Sequence, residues 1–340
     1  MHSLPERITS TEQLEELLSR PSEALIAMMR ELPGDILCLG ASGKIGPSLA
    51  RMACRAVQEA GVNKRVIAVA RRSLPQLQAL GIETFPCDLL DLEAVKALPQ
   101  VENVLYLVGR KFGSSGNEPL TWMTNVILPY HVASVYRAAR LVAFSTGCVY
   151  PLVDVRSGGS VEEDPPEPVG EYAMSCLGRE RVFEYFSRQG MRVALIRLNY
   201  AVELRYGVLY DIARRVYHGE PLDVTTGYVN VMWQGDVCDQ ALRSLPLASS
   251  PATVLNVTGP ETLSVRWLAR RFGELLGVEP ILVGQENGRG YLSNAARANA
   301  LLGNPRVPVG RVIAWVAEWV RRGGESLDKP THFEVQDGRY

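Results

Sequence analysis

The run Asp35-Ile36-Leu37-Cys38-Leu39-Gly40-Ala41-Ser42-Gly43-Lys44-Ile45-Gly46 constrains the fold more than any other stretch, because a short apolar strand empties through three evenly spaced glycines into a helix-forming segment. Gly40 suits the tight turn, Gly43 lets backbone approach a ligand with no Cβ in the way, and Gly46 allows helix to pack closely on strand. Unpaired N–H groups at the helix start, with the helix dipole, favour a bound anion. The loop therefore reads as a cradle for a dinucleotide pyrophosphate, with Gly40, Ser42, Gly43, Lys44, Ile45 and Gly46 as candidate cofactor contacts. Glycine-rich corners also occur without ligands, so the weight of the motif depends on the rest of the chain.

Downstream of it, strand and helix alternate. Strands are expected at 36–39, 66–70, 83–85, 104–108, 141–144, 193–198 and 254–257, with helices from Ile45, around 125–140, over 172–187 and over 312–320, the last ended by Gly323. Repeated βα units imply an α/β fold: a doubly wound parallel sheet of Rossmann type, whose ligands collect at the carboxyl ends of the strands. Residues 1–33 form an N-terminal helical extension, in which Ser10 and Gln13 have capping-box spacing and Leu14, Leu17 and Leu18 make an apolar stripe. Residues 34–199 form the dinucleotide-binding domain. Residues 200–340 form a smaller, mainly substrate-binding region, with 229–259 returning to the first domain. The acidic, proline-rich loop 161–168 reads as a solvated connection or a lid.

Composition narrows the function classes. With 340 residues, 46% of them apolar, the chain can bury a substantial core, and its net charge of -1 creates no field favouring nucleic acid or an anionic membrane. No apolar stretch approaches the roughly 20 residues of a bilayer-spanning helix, and the acidic amino terminus lacks a signal-peptide profile, so the chain reads as cytoplasmic. Six scattered cysteines without a C-x-x-C pair suit reduced thiols, and four histidines outside any paired ligand motif offer no metal site.

At the end of the second strand, where a carboxylate would bind an adenosine ribose, the chain has Ala70 followed by Arg71 and Arg72. Loss of the acid removes repulsion of a 2′-phosphate, and guanidinium groups can bind it, which favours NADP while leaving NAD open. Both arginines also fit a solvated surface.

Further landmarks, in order, resemble the extended short-chain dehydrogenase/reductase family of NAD(P)-dependent sugar epimerases and dehydratases. They are Cys87-Asp88-Leu89, Leu107-Val108-Gly109-Arg110-Lys111, Thr124-Asn125-Val126, Phe144-Ser145-Thr146-Gly147-Cys148-Val149-Tyr150-Pro151, and Asn256-Val257-Thr258-Gly259 with Thr262-Leu263-Ser264. The resemblance implies that Asp88, Leu89, Val108, Gly109, Asn125 and Tyr172 join the cofactor site. It further implies that Thr146 holds the reacting oxygen and Tyr172 passes the proton. The family's lysine one helical turn beyond that tyrosine is replaced by Cys176. Without a nearby cation, a phenol of pKa about 10 is ionised only about one part in a thousand at pH 7. Lys111 and the positive nicotinamide ring are alternative sources of the missing charge, and Lys111 also reads as an ordinary surface lysine.

Cys148 resembles the cysteine of S-S-C-I-Y-P turns in members that epimerise carbons beside a ketone. A thiol with a reference pKa of about 8.5 suits proton exchange near neutrality, although a small buried cysteine also serves packing alone. The acidic S-T-D-E-V-Y turn of the dehydratases is absent, which disfavours elimination. Substrate contacts are expected from Arg110, Asn199, Tyr200, Arg205 and Tyr206, which follow strands where the site should open. The expected activity is that of an NADP-linked oxidoreductase or epimerase acting on a carbohydrate-like, possibly nucleotide-sugar, hydroxyl or ketone. The alternative is a catalytically impaired sensor or scaffold that binds NAD(P), suggested by Cys176. The resemblance also implies a homodimer through the helices around Asn125 and Tyr172.

Overall fold

A computed structural model describes residues 4–339. Seven parallel strands form the central sheet: β1 Ile36–Leu39, β2 Val66–Ala70, β3 Glu83–Pro86, β4 Asn103–Tyr106, β5 Arg140–Thr146, β6 Arg192–Leu198 and β7 Thr253–Val257. Their order is β3-β2-β1-β4-β5-β6-β7, with Ile36 opposite Val66 on one side and Asn103 on the other. The central strands are short apolar runs buried on both faces, as a parallel sheet sandwiched between helices requires. No disulfide links any of the six cysteines. No helix among the described residues is long and apolar enough to cross a membrane, and no cluster of metal-ligating side chains occurs among them.

The N-terminal extension forms α1 (Thr11–Leu18) and α2 (Glu23–Glu31), each started by a serine whose hydroxyl accepts a first-turn N–H. Gln13 reaches back to the N–H of Thr9, one residue before the cap. Leu25 and Met29 of α2 pack with α3 (Gly46–Ala60) against one sheet face, whereas Leu14, Leu17 and Leu18 of α1 join a separate core. The opposite sheet face is covered by α4 (Leu128–Val135) and α5 (Gly170–Ser187), through residues such as Val132 and Phe183.

The stretch expected as one helix over 125–140 is instead broken. A short helix, Glu118–Trp122, passes through a π-helical turn, Met123–Ile127, into α4, which ends at Val135. Pro129 explains the break, since it has no N–H to donate and its ring crowds the carbonyl four residues earlier.

Beyond β6 the chain builds a second core from α6 (Val208–Tyr217), α8 (Val265–Leu276) and α9 (Val309–Arg321), while α7 (Gln234–Arg243) packs back on α3. Two-residue ribbons, such as Ala201–Val202 with Met232–Trp233, join this region to the sheet. Residues 325–339 have no regular structure, yet they touch α6, the loop after β4 and the start of α5.

Candidate active site

The glycine loop closes at the carboxyl end of β1. Gly40 sits at φ +89°, and a Cβ there would lie 2.9 Å from the Val108 side chain. A Cβ on Gly46 would lie 2.6 Å from the Ala41 backbone, so both positions need glycine. The helix that starts at Gly46 has no side-chain cap, and Pro47 occupies its first turn. This is the geometry that leaves backbone donors for an anion. Ser42 and Gly43 are exposed, as are Arg71, Arg72 and Asp88 at the ends of neighbouring strands, while Leu89 is buried. The Asp88 carboxylate accepts the N–H of Leu90.

Lys44 turns away from solvent. Its Nζ donates to the Ala201 carbonyl at 2.9 Å and stands 3.6 Å from the Tyr206 ring centroid. Burial lowers its pKa to about 7 despite the attraction of Glu203 and Asp211.

The loop after β4 is braced by Asn125, which is fully buried. Its side-chain oxygen accepts the Arg110 N–H and an Arg179 guanidinium N–H, both at 2.8 Å, and its amide donates to the Arg110 carbonyl and to Ser175. Arg179 also donates to the Phe144 carbonyl and lies directly against Gly109, where a Cβ would approach it to 2.8 Å. Its Nε is buried without a partner among the described residues. Arg110 folds its guanidinium onto the Gly113 carbonyl, whereas Lys111 directs its Nζ inward, 6.0 Å from the Tyr172 ring centroid. Burial lowers the Lys111 pKa, and Cys148, Cys176, Asp211 and Glu334 are the groups that pull it back up.

Thr146 ends β5 and accepts the Cys148 N–H at 3.1 Å, starting a single turn of 3-10 helix over Gly147–Val149. Beneath it lies a buried network. Arg197 pairs with Glu180 at 2.8 Å and donates to the Tyr150 hydroxyl at 2.7 Å, which in turn donates to Asn256. Such a network, satisfied on each side, holds the turn in one conformation.

Tyr172, near the start of α5, is hydrogen-bonded to Thr146 and in contact with Cys176. Burial drives its pKa well up, neighbouring thiols Cys176 and Cys148 add to the rise, and Arg179 opposes it. Thr146, Tyr172, Cys148 and Lys111 therefore come together, although they arise from a strand end, a helix, a turn and a loop.

The expected substrate contacts separate. Tyr200 is held at φ +42°, an uncommon conformation for an aromatic residue, with Cys148, Tyr291 and Tyr206 among its neighbours. Asn199 is buried, donating to the Tyr291 carbonyl. Arg205 is neither a solvated residue nor an unengaged cation, because it pairs with Glu15 at 2.7 Å and Glu203 at 3.1 Å. Arg179, Asp211, Thr331, Glu334 and Tyr291 join the site without having been expected there from sequence. Arg179 had a legible signal, since it lies seven residues after Tyr172 on the same helical face. The others enter only through tertiary contacts.

The arrangement matches known proteins over most of its length. The UDP-glucuronic acid and NAD complex of MoeE5 has a TM-score of 0.68 at 23% identity, covering 85% of this chain and 99% of that one. UDP-glucose 4-epimerase from Thermotoga maritima, with UDP-glucose, has a TM-score of 0.69 at 19% identity over 85% of this chain and 99% of its own. UDP-N-acetylglucosamine 4-epimerase from Bacillus cereus gives 0.68 at 17% over 85% and 100%. These likenesses establish the fold. No curated protein sequence matches the chain. A sequence profile of the NAD dependent epimerase/dehydratase family matches residues 36–243, and the chain belongs to that family.

Proposed function

We propose that the protein is an NADP-linked epimerase or oxidoreductase acting on a carbohydrate hydroxyl or ketone, with the sugar of a nucleotide sugar as the first substrate class to try. The single observation that carries this reading is the convergence of Thr146, Tyr172, Cys148 and Lys111 at the carboxyl edge of the sheet, beside a glycine loop fit for a dinucleotide. When bound, the nicotinamide supplies hydride exchange. Thr146 and Tyr172, joined by a hydrogen bond, hold the reacting oxygen, and the phenol moves its proton. A buried phenol ionises only with positive charge at hand: Arg179 opposes the rise of the Tyr172 pKa, and Lys111, with its Nζ 6.0 Å from the Tyr172 ring centroid, stands in for the lysine that Cys176 replaces. Cys148 serves a proton transfer at the carbon next to the carbonyl. The NADP preference rests on Ala70 with exposed Arg71 and Arg72. The reading includes a homodimer through the helices at 118–135 and α5.

The test loads the protein with NADP or NAD and offers UDP-glucose, UDP-glucuronic acid and UDP-N-acetylglucosamine, following inversion by proton NMR and redox change by nicotinamide absorbance. Tyr172→Phe is expected to lower kcat by roughly 100-fold or more while leaving dinucleotide affinity within about twofold. Undiminished turnover in Tyr172→Phe removes its assigned role. NADP should bind roughly tenfold tighter than NAD, and replacing Arg71 and Arg72 with Glu should reverse the order. Tight dinucleotide binding without turnover of these or simpler sugars would favour the sensor reading suggested by Cys176.

A further inference from the structure

Residues 325–339 form a strap that runs from the end of α9 past α6 and the loop after β4 to the start of α5. Its first part is fixed by the Trp319 indole, which donates to the Glu325 carbonyl, and by the Leu327 N–H on the Arg205 carbonyl. Phe333, 2% exposed, plugs into the second core. Arg215 pairs with Glu334, and Thr226 accepts from Gln336. At the far end Gly338 lies against Val169 and Gly170, at the start of the helix that carries Tyr172, and a Cβ on Gly338 would come within 2.3 Å of the Val169 carbonyl oxygen.

At its centre is Thr331. The Asp211 carboxylate of α6 accepts both the Thr331 N–H at 2.8 Å and its hydroxyl at 2.6 Å. The carbonyl of the same residue accepts from Lys111 Nζ at 3.1 Å. We propose that the C-terminal strap belongs to the active site, with the Asp211-Thr331 clamp as the positioning element that holds the Lys111 ammonium beside Tyr172. The proposal rests on the reading of Lys111 as the cation serving that phenol.

The choice of partner has a physical logic. A lysine on a loop has four rotatable side-chain bonds and needs a fixed acceptor to hold one position. A carboxylate in contact would hold it but cancel its charge, whereas a backbone carbonyl orients the ammonium and leaves the charge in place. Asp211 acts one residue removed, its charge engaged by two donors of Thr331. The other charged or titratable groups facing Lys111 are Cys148 after β5, Tyr172 and Cys176 on α5, Glu334 on the strap and Lys44 on the glycine loop. Release of the strap therefore both frees and rehydrates the ammonium.

The experiment compares the full chain with a chain ending at Asp328 and with the double variant Thr331→Val, Gly338→Val. The double variant keeps Phe333 and so guards against loss of the fold. Hydrogen exchange reports strap release, carbon NMR of labelled lysines reports the titration of Lys111, assigned through Lys111→Met, and the pH profile of UDP-sugar turnover reports the phenol. With the strap released or removed, the Lys111 titration should rise by about one pH unit or more. Turnover at neutral pH should fall roughly tenfold, with dinucleotide affinity within about twofold, and Lys111→Met should abolish any further effect of strap variants. An unchanged Lys111 titration after strap release overturns the clamp. If Lys111→Met leaves the pH profile intact while strap release still moves the Lys111 titration, the reading of Lys111 fails and the clamp's contact with it stands. If Lys111→Met slows turnover and strap release does not, the clamp is overturned and Lys111 keeps its role.

Discussion

Cys176 sits on the helical face of Tyr172, completely buried, in the place where the resemblance leads one to expect an ammonium. Restoring lysine there would bury a third cation beside Arg179 and Lys111, while the nearby Glu180 carboxylate is already committed to Arg197. Cys176→Lys is therefore expected to destabilise the fold by roughly 3–5 kcal/mol, the cost of an uncompensated buried charge, and to yield no gain in turnover. Urea unfolding of the variant beside Cys176→Ala, which removes only a small thiol, measures this. A stable and faster Cys176→Lys would show that the site merely lacks its lysine. At this scale the sequence revealed residue types better than directions. Thr146 and Tyr172 were legible because each belongs to a short local motif. Lys111 was legible as a residue, but only the strap decides where its ammonium points. Arg205 looked like a substrate cation because nothing local announces Glu15, 190 positions earlier in the chain, as its partner.

The elements that could be read were those whose pattern is local. The apolar runs of β1, β2, β5 and β6 stand between polar turns, and α9 repeats its apolar residues at helical spacing. The π-helical turn before Pro129 and the two-residue ribbons after β6 carry no such periodicity, and only tertiary pairing defines them. One of those ribbons matters chemically, because Ala201 anchors Lys44 of the glycine loop. Lys44 has its folded pKa depressed to about 7, so between that value and its unfolded pKa of about 10.4 the unfolded chain binds more protons. The Lys44 contribution to stability should then rise with pH across that window and flatten below it, while the buried thiols, whose pKa values burial raises, act in the opposite direction at its upper end. The slope from this one group stays under about 1.4 kcal/mol per pH unit, because it exchanges at most one proton between the two states. Denaturant unfolding from pH 7 to 10 tests the sign: Lys44→Met should lose this positive slope, and a slope equal to that of the native chain would show that Lys44 is charged in the fold.

For the molecule as a whole, the parallel sheet and its helices were visible in advance and the second core was not, because that core is assembled from segments far apart in sequence. Leu14 of the first helix packs in it with Val316 of the last. One large surface feature remains. Along the segment 118–135 and α5, the side chains Leu120, Met123, Ile127, Tyr130, Met174 and Tyr185 are all exposed, the last by 61%. The two segments pack tightly, since a Cβ on Gly178 would meet Val126 at 2.8 Å, and both carry these exposed apolar side chains. Contiguous apolar patches of more than a few hundred Å² are uncommon on monomers, and a stable interface buries about 1,200–2,000 Å² in all. A second copy of the chain, related by a twofold axis, would bury this face against itself. Sedimentation equilibrium is accordingly expected to give twice the 37.4 kDa chain mass. Met123→Glu combined with Tyr130→Glu should shift the equilibrium to monomer, because each face would then bring like charges into an apolar contact. Both positions are exposed whereas Thr146 is buried, so the variant monomer should keep its dinucleotide affinity within about twofold. A native chain that sediments as a monomer at micromolar concentration would leave this face to some other partner.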